Sequence, residues 1–180
     1  MIFKQVMPYV DFFVPSIEEI CALLEPERYQ DWQLRAGEKD IPQILDFEKD
    51  IQPVADACMS LGVKVLLLKC GTLGLYLQTA GKDEVCKIGK KLVFDNNKWS
   101  NLSLFEKPYL PSKVRSATGA GDTCIAAFLT GILNNESPDI CLKLAAGCGA
   151  CCVEEYDALS GLVTYEELKK KINSDWKKLY

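Results

Sequence analysis

Histidine does not occur in this 180-residue chain. Its absence removes Ser-His and Cys-His nucleophile pairs, with every histidine-ligated metal, from the available chemistries. Long apolar runs are also missing: none approaches the ~18 residues that a membrane-spanning helix needs, so no membrane partner is expected. An excess of positive charge is lacking too. With 21 Lys and Arg against 25 Asp and Glu, the formal net charge is −4. That argues against nucleic acid as a main partner and makes the Lys87, Lys90, Lys91 group a solvated face. Familiar phosphate-binding strings are absent. No G-x-x-x-x-G-K-[ST] loop occurs, the protein-kinase signatures are missing, and a dinucleotide fingerprint fails because Cys124 stands where its third glycine belongs. The start does not read as a secretory leader, since Phe3 to Val14 is interrupted by Lys4, Pro8 and Asp11. The cytoplasm is the default compartment.

What is present suits a globular chain. At 48% hydrophobic and 26% charged residues there is material for one core, and a single α/β domain over residues 1–180 is expected. The nine cysteines are an odd number and lie mostly in apolar stretches, which favours buried reduced thiols over a disulfide framework. Cys148, Cys151 and Cys152 would share one face of a helix from Asp139 to Val153, but the set lacks a clear second ligand pair for a metal.

Thr118-Gly119-Ala120-Gly121-Asp122 carries the densest chemical signal, at the mouth of what reads as a helix from Thr123 to Leu133. First-turn N–H groups have no intrahelical partner, and glycines let an anion approach them without Cβ interference. Asp122 is open to two readings. It is either a favourable charge on the helix dipole, worth about 0.3–1 kcal/mol, or a general base beside a bound phosphate.

The run from Ser116 through Gly131, S-A-T-G-A-G-D-T-C-I-A-A-F-L-T-G, resembles the C-terminal signature of the ribokinase (PfkB) family of carbohydrate kinases, D-T-x-G-A-G-D-x-F-x-x-G. The resemblance implies Asp122 as catalytic base and the backbone of Gly119, Ala120 and Gly121 as an anion hole, with Thr118 among the nucleotide contacts. Ser116 occupies the position of the family's first Asp, which puts in doubt the monovalent-cation loop that this Asp helps build. Farther along, Ala145-Ala146-Gly147-Cys148-Gly149-Ala150 fits the family's small-residue helix beside the adenine pocket, which implies Gly149 near the nucleotide.

Two earlier segments follow in the family's order. Val10 to Val14 is a short β-prone run, and Pro15-Ser16-Ile17-Glu18-Glu19-Ile20 opens an amphipathic helix to Leu24. It resembles the family's N-x-x-E segment, which implies Glu19 at a magnesium–phosphate cluster through water, although Ser16 replaces the Asn. Ser-x-x-Glu is equally a capping box. Val63 to Leu68 reads as a strand buried on both faces of a parallel sheet, ending in Lys69-Cys70-Gly71-Thr72-Leu73-Gly74. By itself that ending is a hairpin turn. By resemblance to the family's T-x-G-x-x-G it implies Lys69, Gly71 and Gly74 at the nucleotide phosphates.

Elsewhere Asp40-Ile41-Pro42-Gln43 starts a helix that Pro53 should break or kink and that Gly62 ends. Short β-prone runs surround Val85 to Ile88 and Leu102 to Phe105, joined by the polar link Asp95 to Lys98. Asn134 to Pro138 is a turn, and Thr164 opens a last helix. The implied fold is a ribokinase-like three-layer α/β/α sheet, C-terminal portion, without the family's N-terminal sugar-binding strands and β lid. The implied activity is phosphoryl transfer from Mg2+-ATP to a sugar hydroxyl in a complete enzyme, this chain carrying the nucleotide half. The alternative is a non-catalytic nucleotide-binding or interaction module. ATP or ADP and a sugar are the expected partners, and a sheet edge open on one side predicts a homo-oligomer.

Overall fold

The computed structural model describes residues 2–89 and 95–179. Lys90 and Lys91, from the expected lysine face, lie outside the described residues, while Lys87 is exposed and pairs with Glu84 at 2.5 Å. The chain forms two compact units, residues 2–89 with 95–105 and residues 106–179.

The first unit holds the sheet. Its strands are β1 (Phe12–Phe13), β2 (Val65–Lys69), β3 (Leu75–Thr79) and β4 (Ser103–Glu106), in the order β1-β2-β3-β4. Val65 to Leu68 are all at most 1% exposed, as a continuous apolar run requires. The expectation of a parallel sheet holds on one side only. β2 runs parallel to β1, Phe12 opposite Val65, but antiparallel to β3, from Val65 opposite Thr79 to Lys69 opposite Leu75. Hydropathy reports burial on both faces and not strand direction. Residues 70–74 are too short a link for anything but an antiparallel return.

Helices α1 (Ile2–Val6), α2 (Ile17–Leu24), α3 (Pro26–Ala36), α4 (Gln52–Ser60), α5 (Lys82–Val85) and α6 (Asn96–Trp99) complete this unit. Trp32, Ile17, Ile20, Cys21, Ile51, Val54, Cys58, Leu66, Leu68 and Tyr76 form one buried cluster. The long helix expected from Asp40 is instead three pieces: a 3-10 turn at Ile41–Ile44, a π-turn at Phe47–Ile51, and α4. The break falls at Leu45–Asp46, where the Asp46 carboxylate caps the next piece at the Lys49 N–H, 2.9 Å, and the π-turn lies just before Pro53. Pro53 has no N–H for the Lys49 carbonyl, which instead accepts from Arg28 Nη1 at 3.0 Å. Asp50 then anchors the irregular stretch, accepting from Trp32 Nε1 (2.8 Å), Arg35 Nη1 (2.8 Å), Arg35 Nη2 (2.9 Å) and the Asp46 N–H (2.8 Å).

The β-prone run at Val85 to Ile88 is also not a strand: α5 and a turn bury Val85 and Ile88 without a ladder. The link after it winds into α6, whose N-terminus the Asp95 carboxylate caps at Asn97 N–H, 3.1 Å. Leu102 to Phe105 does yield a strand, β4.

The second unit is built on α7 (Ala120–Leu133), α8 (Pro138–Cys152) and α9 (Tyr165–Ile172). A tight turn with Asn135 at φ 57° returns α8 antiparallel to α7. The two helices approach closely because Gly131 faces Cys141 and Gly149 faces Cys124; an added Cβ would lie 2.9 and 2.5 Å from those sulfurs. Phe128, Leu142, Leu144 and Ala145 fill the unit's core. Thr164 and Glu167 close a capping box on α9. Tyr109 stacks on Trp176 at 4.4 Å, fastening residues 107–110 to the end of the chain.

Candidate functional site

The G-A-G-D segment lies where a loop turns into α7. That helix begins at Ala120, three residues before the expected Thr123, so Ala120, Gly121 and Asp122 make up its first turn. Gly119 is the N-cap at φ 78°, a left-handed conformation that an L side chain rarely adopts. A Cβ on it would also lie 2.3 Å from the Ala158 methyl. The Thr123 N–H returns to the Gly119 carbonyl at 2.9 Å and the Ala120 N–H to Ala117 at 3.2 Å. The Gly121 and Asp122 N–H groups belong to the first turn of α7, whose amides lack intrahelical partners.

Asp122 is exposed, and among the described residues no hydrogen bond or ion pair employs its carboxylate. Thr118, also exposed, donates its N–H to Ser116 Oγ at 3.1 Å. Gly149 belongs to the same neighbourhood from behind: it is buried, and its missing side chain makes room for Cys124 against the start of α7. Thr118, Gly119, Ala120, Gly121, Asp122 and Gly149 are therefore together in the second unit.

The remaining expected residues meet in the first unit. Ser16 caps α2, its Oγ accepting from the Glu19 N–H at 3.2 Å while Glu19 Oε2 accepts from the Ser16 N–H at 3.3 Å. The Ser16 hydroxyl first, its N–H second and the Lys69 charge to a lesser degree hold the Glu19 carboxyl below the usual carboxylate range. Ser16 bridges Lys69 in parallel register, and the Lys69 N–H donates to Pro15 at 3.0 Å, so the α2 cap and the end of β2 adjoin. Past them, Gly71 (φ 56°) and Gly74 (φ 124°) shape the 3-10 turn of the β2–β3 hairpin. Ser16, Glu19, Gly71 and Gly74 each have a local structural task.

Among the described residues no group of three or more metal-ligating side chains converges. None of the nine cysteines is in a disulfide, and burial pushes the Cys148 thiol up to about 11 and Cys141 to about 12. Missed in the sequence were two buried ionic anchors, Asp50–Arg35 and Lys64–Asp11, the latter at 2.8 Å. A Lys at the head of an apolar strand was the only signal for either. Also missed were Cys152, the last residue of α8, and Ala158 in the loop after it, which together hold the start of α7.

The pfkB family carbohydrate kinase model matches residues 3–164. A protein of Archaeoglobus fulgidus described as an uncharacterized sugar kinase is 26% identical over 116 residues, which cover 64% of this chain and 38% of that protein. Arabidopsis thaliana ribokinase is 30% identical over 117 residues, 64% of this chain and 25% of that protein. Among solved structures, Arabidopsis thaliana ribokinase complexed with ribose and ATP superposes with a TM-score of 0.67 at 22% identity, covering 95% of this chain and 43% of that one. Thermotoga maritima ribokinase gives 0.61 at 19% identity, over 95% and 45%. The chain spans less than half the length of these relatives. No described helix is long and apolar enough to cross a membrane. With a ribokinase-like α/β fold, the glycine-capped start of α7 and a family match over residues 3–164, the chain belongs to the pfkB family of carbohydrate kinases.

Proposed function

We propose that this chain carries the phosphate-handling part of an ATP-dependent carbohydrate kinase. The observation that supports it most is Asp122: an exposed carboxylate in the first turn of a glycine-capped helix, with no structural task, inside the family's motif. In the proposed reaction the Asp122 carboxylate takes the proton of a sugar hydroxyl. The freed oxygen forms a bond to the γ-phosphorus, the bond from that phosphorus to the bridging oxygen breaks, and ADP leaves. The Gly121 and Asp122 amides, with the turn through Gly119 and Ala120, stabilise the charge on the transferring group.

The residues of each unit suit a nucleotide with a divalent cation. First-turn amides and a carboxylate at the α7 start match an anion and a proton acceptor, and in the first unit an ionised Glu19 beside the Lys69 cation matches a hydrated metal–phosphate group. Magnesium, when bound, would neutralise phosphate charge, with Glu19 as its holder through water. In the first unit Lys69 would offer phosphate a point charge and Gly71 and Gly74 a close backbone approach; in the second, Thr118 and Gly149 would offer nucleotide contacts at the start of α7.

The test is calorimetric titration with Mg-ADP of the protein containing these residues, unsubstituted and as Asp122→Asn, alongside turnover. Binding by both, with turnover lost only in the variant, is expected. Equal turnover in both would remove Asp122 as base. Nucleotide binding without turnover in either would favour a non-catalytic module.

A further inference from the structure

By the family resemblance, the loop into α7 corresponds to one that in many members helps build a monovalent-cation site, and the residues here do not suit that ion. Ser116 stands at the Asp position, and its Oγ is already the acceptor for the Thr118 N–H at 3.1 Å. The Thr118 carbonyl accepts from the Cys152 thiol at 3.5 Å, and the same sulfur lies 3.7 Å from the Ala158 carbonyl. A thiol is a donor, so its hydrogen serves the two carbonyls where a cation would otherwise draw oxygens together.

Neighbouring carboxylates are engaged as well. Asp157 accepts from the Leu159 N–H (2.8 Å), the Ser160 N–H (2.8 Å) and the Ser160 hydroxyl (2.7 Å). Glu154 accepts from the Ser112 N–H at 2.7 Å, and Glu155 pairs with Lys113 at 3.0 Å and Arg115 at 3.2 Å. Backbone bonds complete the scaffold, the Arg115 and Ser116 N–H groups both reaching the Val153 carbonyl, at 2.8 and 3.4 Å. Residues 116–119 therefore hold a ring of internal donors and acceptors, closed on the far side by the Ala158 methyl in the cradle of Gly119.

We propose that Cys152 and Ser116 take over the ordering task of a monovalent cation, so that the start of α7 is formed by the chain alone and potassium is not an activator. This rests on the kinase reading only for its consequence in nucleotide binding. The loop geometry stands independently of it.

The experiment compares equal concentrations of potassium, sodium and tetramethylammonium chloride. A cation that binds the folded state raises its stability by RT ln(1 + [L]/Kd). Equal melting temperatures in the three salts, and equal Mg-ADP affinities, are expected. A potassium-specific rise in melting temperature, or a potassium-specific tightening of ADP by about tenfold or more, would overturn the proposal. Cys152→Ala should lower the melting temperature and weaken ADP binding, with Cys152→Ser recovering much of both; an unchanged Cys152→Ala protein would refute the thiol's part. If no salt supports nucleotide binding, the kinase reading fails while the melting comparison still decides the cation question. The same comparison decides it if Cys152→Ala does not fold.

Discussion

The two units treat their share of the motif residues differently. In the first, Ser16, Glu19, Gly71 and Gly74 are each accounted for by structure: a capping box and a hairpin turn. In the second, Gly119 is held in a left-handed conformation against Ala158, and Asp122 is left exposed beside it without a structural task. A motif residue that already caps a helix or turns a hairpin says little about chemistry. One that is costly to place, or idle where placed, says more.

The sharpest break of that comparison is Asp122→Asn against Glu19→Gln in an active protein. A positioned base is worth about 10²–10⁴ in rate, so Asp122→Asn should lower kcat by that factor while costing no more stability than the about 0.3–1 kcal/mol of a first-turn charge on the helix dipole. Glu19→Gln should shift both modestly, because its carboxylate belongs to the α2 cap. A stability loss well beyond about 1 kcal/mol in Asp122→Asn would show that the residue has a structural task of its own.

Next in size are the anchors. Asp50→Ala leaves the Trp32 indole and the Arg35 guanidinium without their acceptor and should cost about 3 kcal/mol. Trp32 lies in the first unit and Trp176 in the second, so tryptophan fluorescence of single-Trp variants during urea unfolding tells which unit yields. Gly119→Ala combines positive φ with a methyl 2.3 Å from Ala158 and should cost about 2–4 kcal/mol, read at Trp176. If that loss fell on Trp32 instead, the two units would unfold in one transition.

Smaller effects follow from pH and capping. Burial pushes the Asp50 carboxyl up, but the Arg35 guanidinium, the Asp46 N–H and the Trp32 indole together hold it below its ordinary value. Because the folded form is the more acidic, this stability is present above the unfolded Asp pKa of ~3.9 and is lost as pH falls through the lower folded value. A melting series from neutral to acid pH should show that loss, and Asp50→Asn should flatten it. Ser16→Ala should cost about 1 kcal/mol, the worth of an N-cap, and should raise the Glu19 carboxyl toward its ordinary range, visible by NMR titration.

Much of the fold was legible locally. The Ser16–Glu19 and Thr164–Glu167 spacings specified two helix starts, Val65 to Leu68 a buried strand, and Asn134 to Pro138 a turn, because caps, burial and turn chemistry act within a few residues. The irregular stretch from Ile41 to Ile51 was not. Its shape depends on Arg28 and Arg35 reaching it from α3, contacts that no local period encodes.

By itself the sequence determined the family motif and the glycine-rich start of a helix, since glycine spacing is a property of adjacent residues. Only the tertiary structure decided that β2 is antiparallel to β3, that Gly149 serves helix packing, and that Cys152 and Ala158 hold the loop before α7. Those outcomes depend on segments tens of residues apart meeting in space, where steric fit and hydrogen-bond satisfaction select among arrangements that each segment alone leaves open.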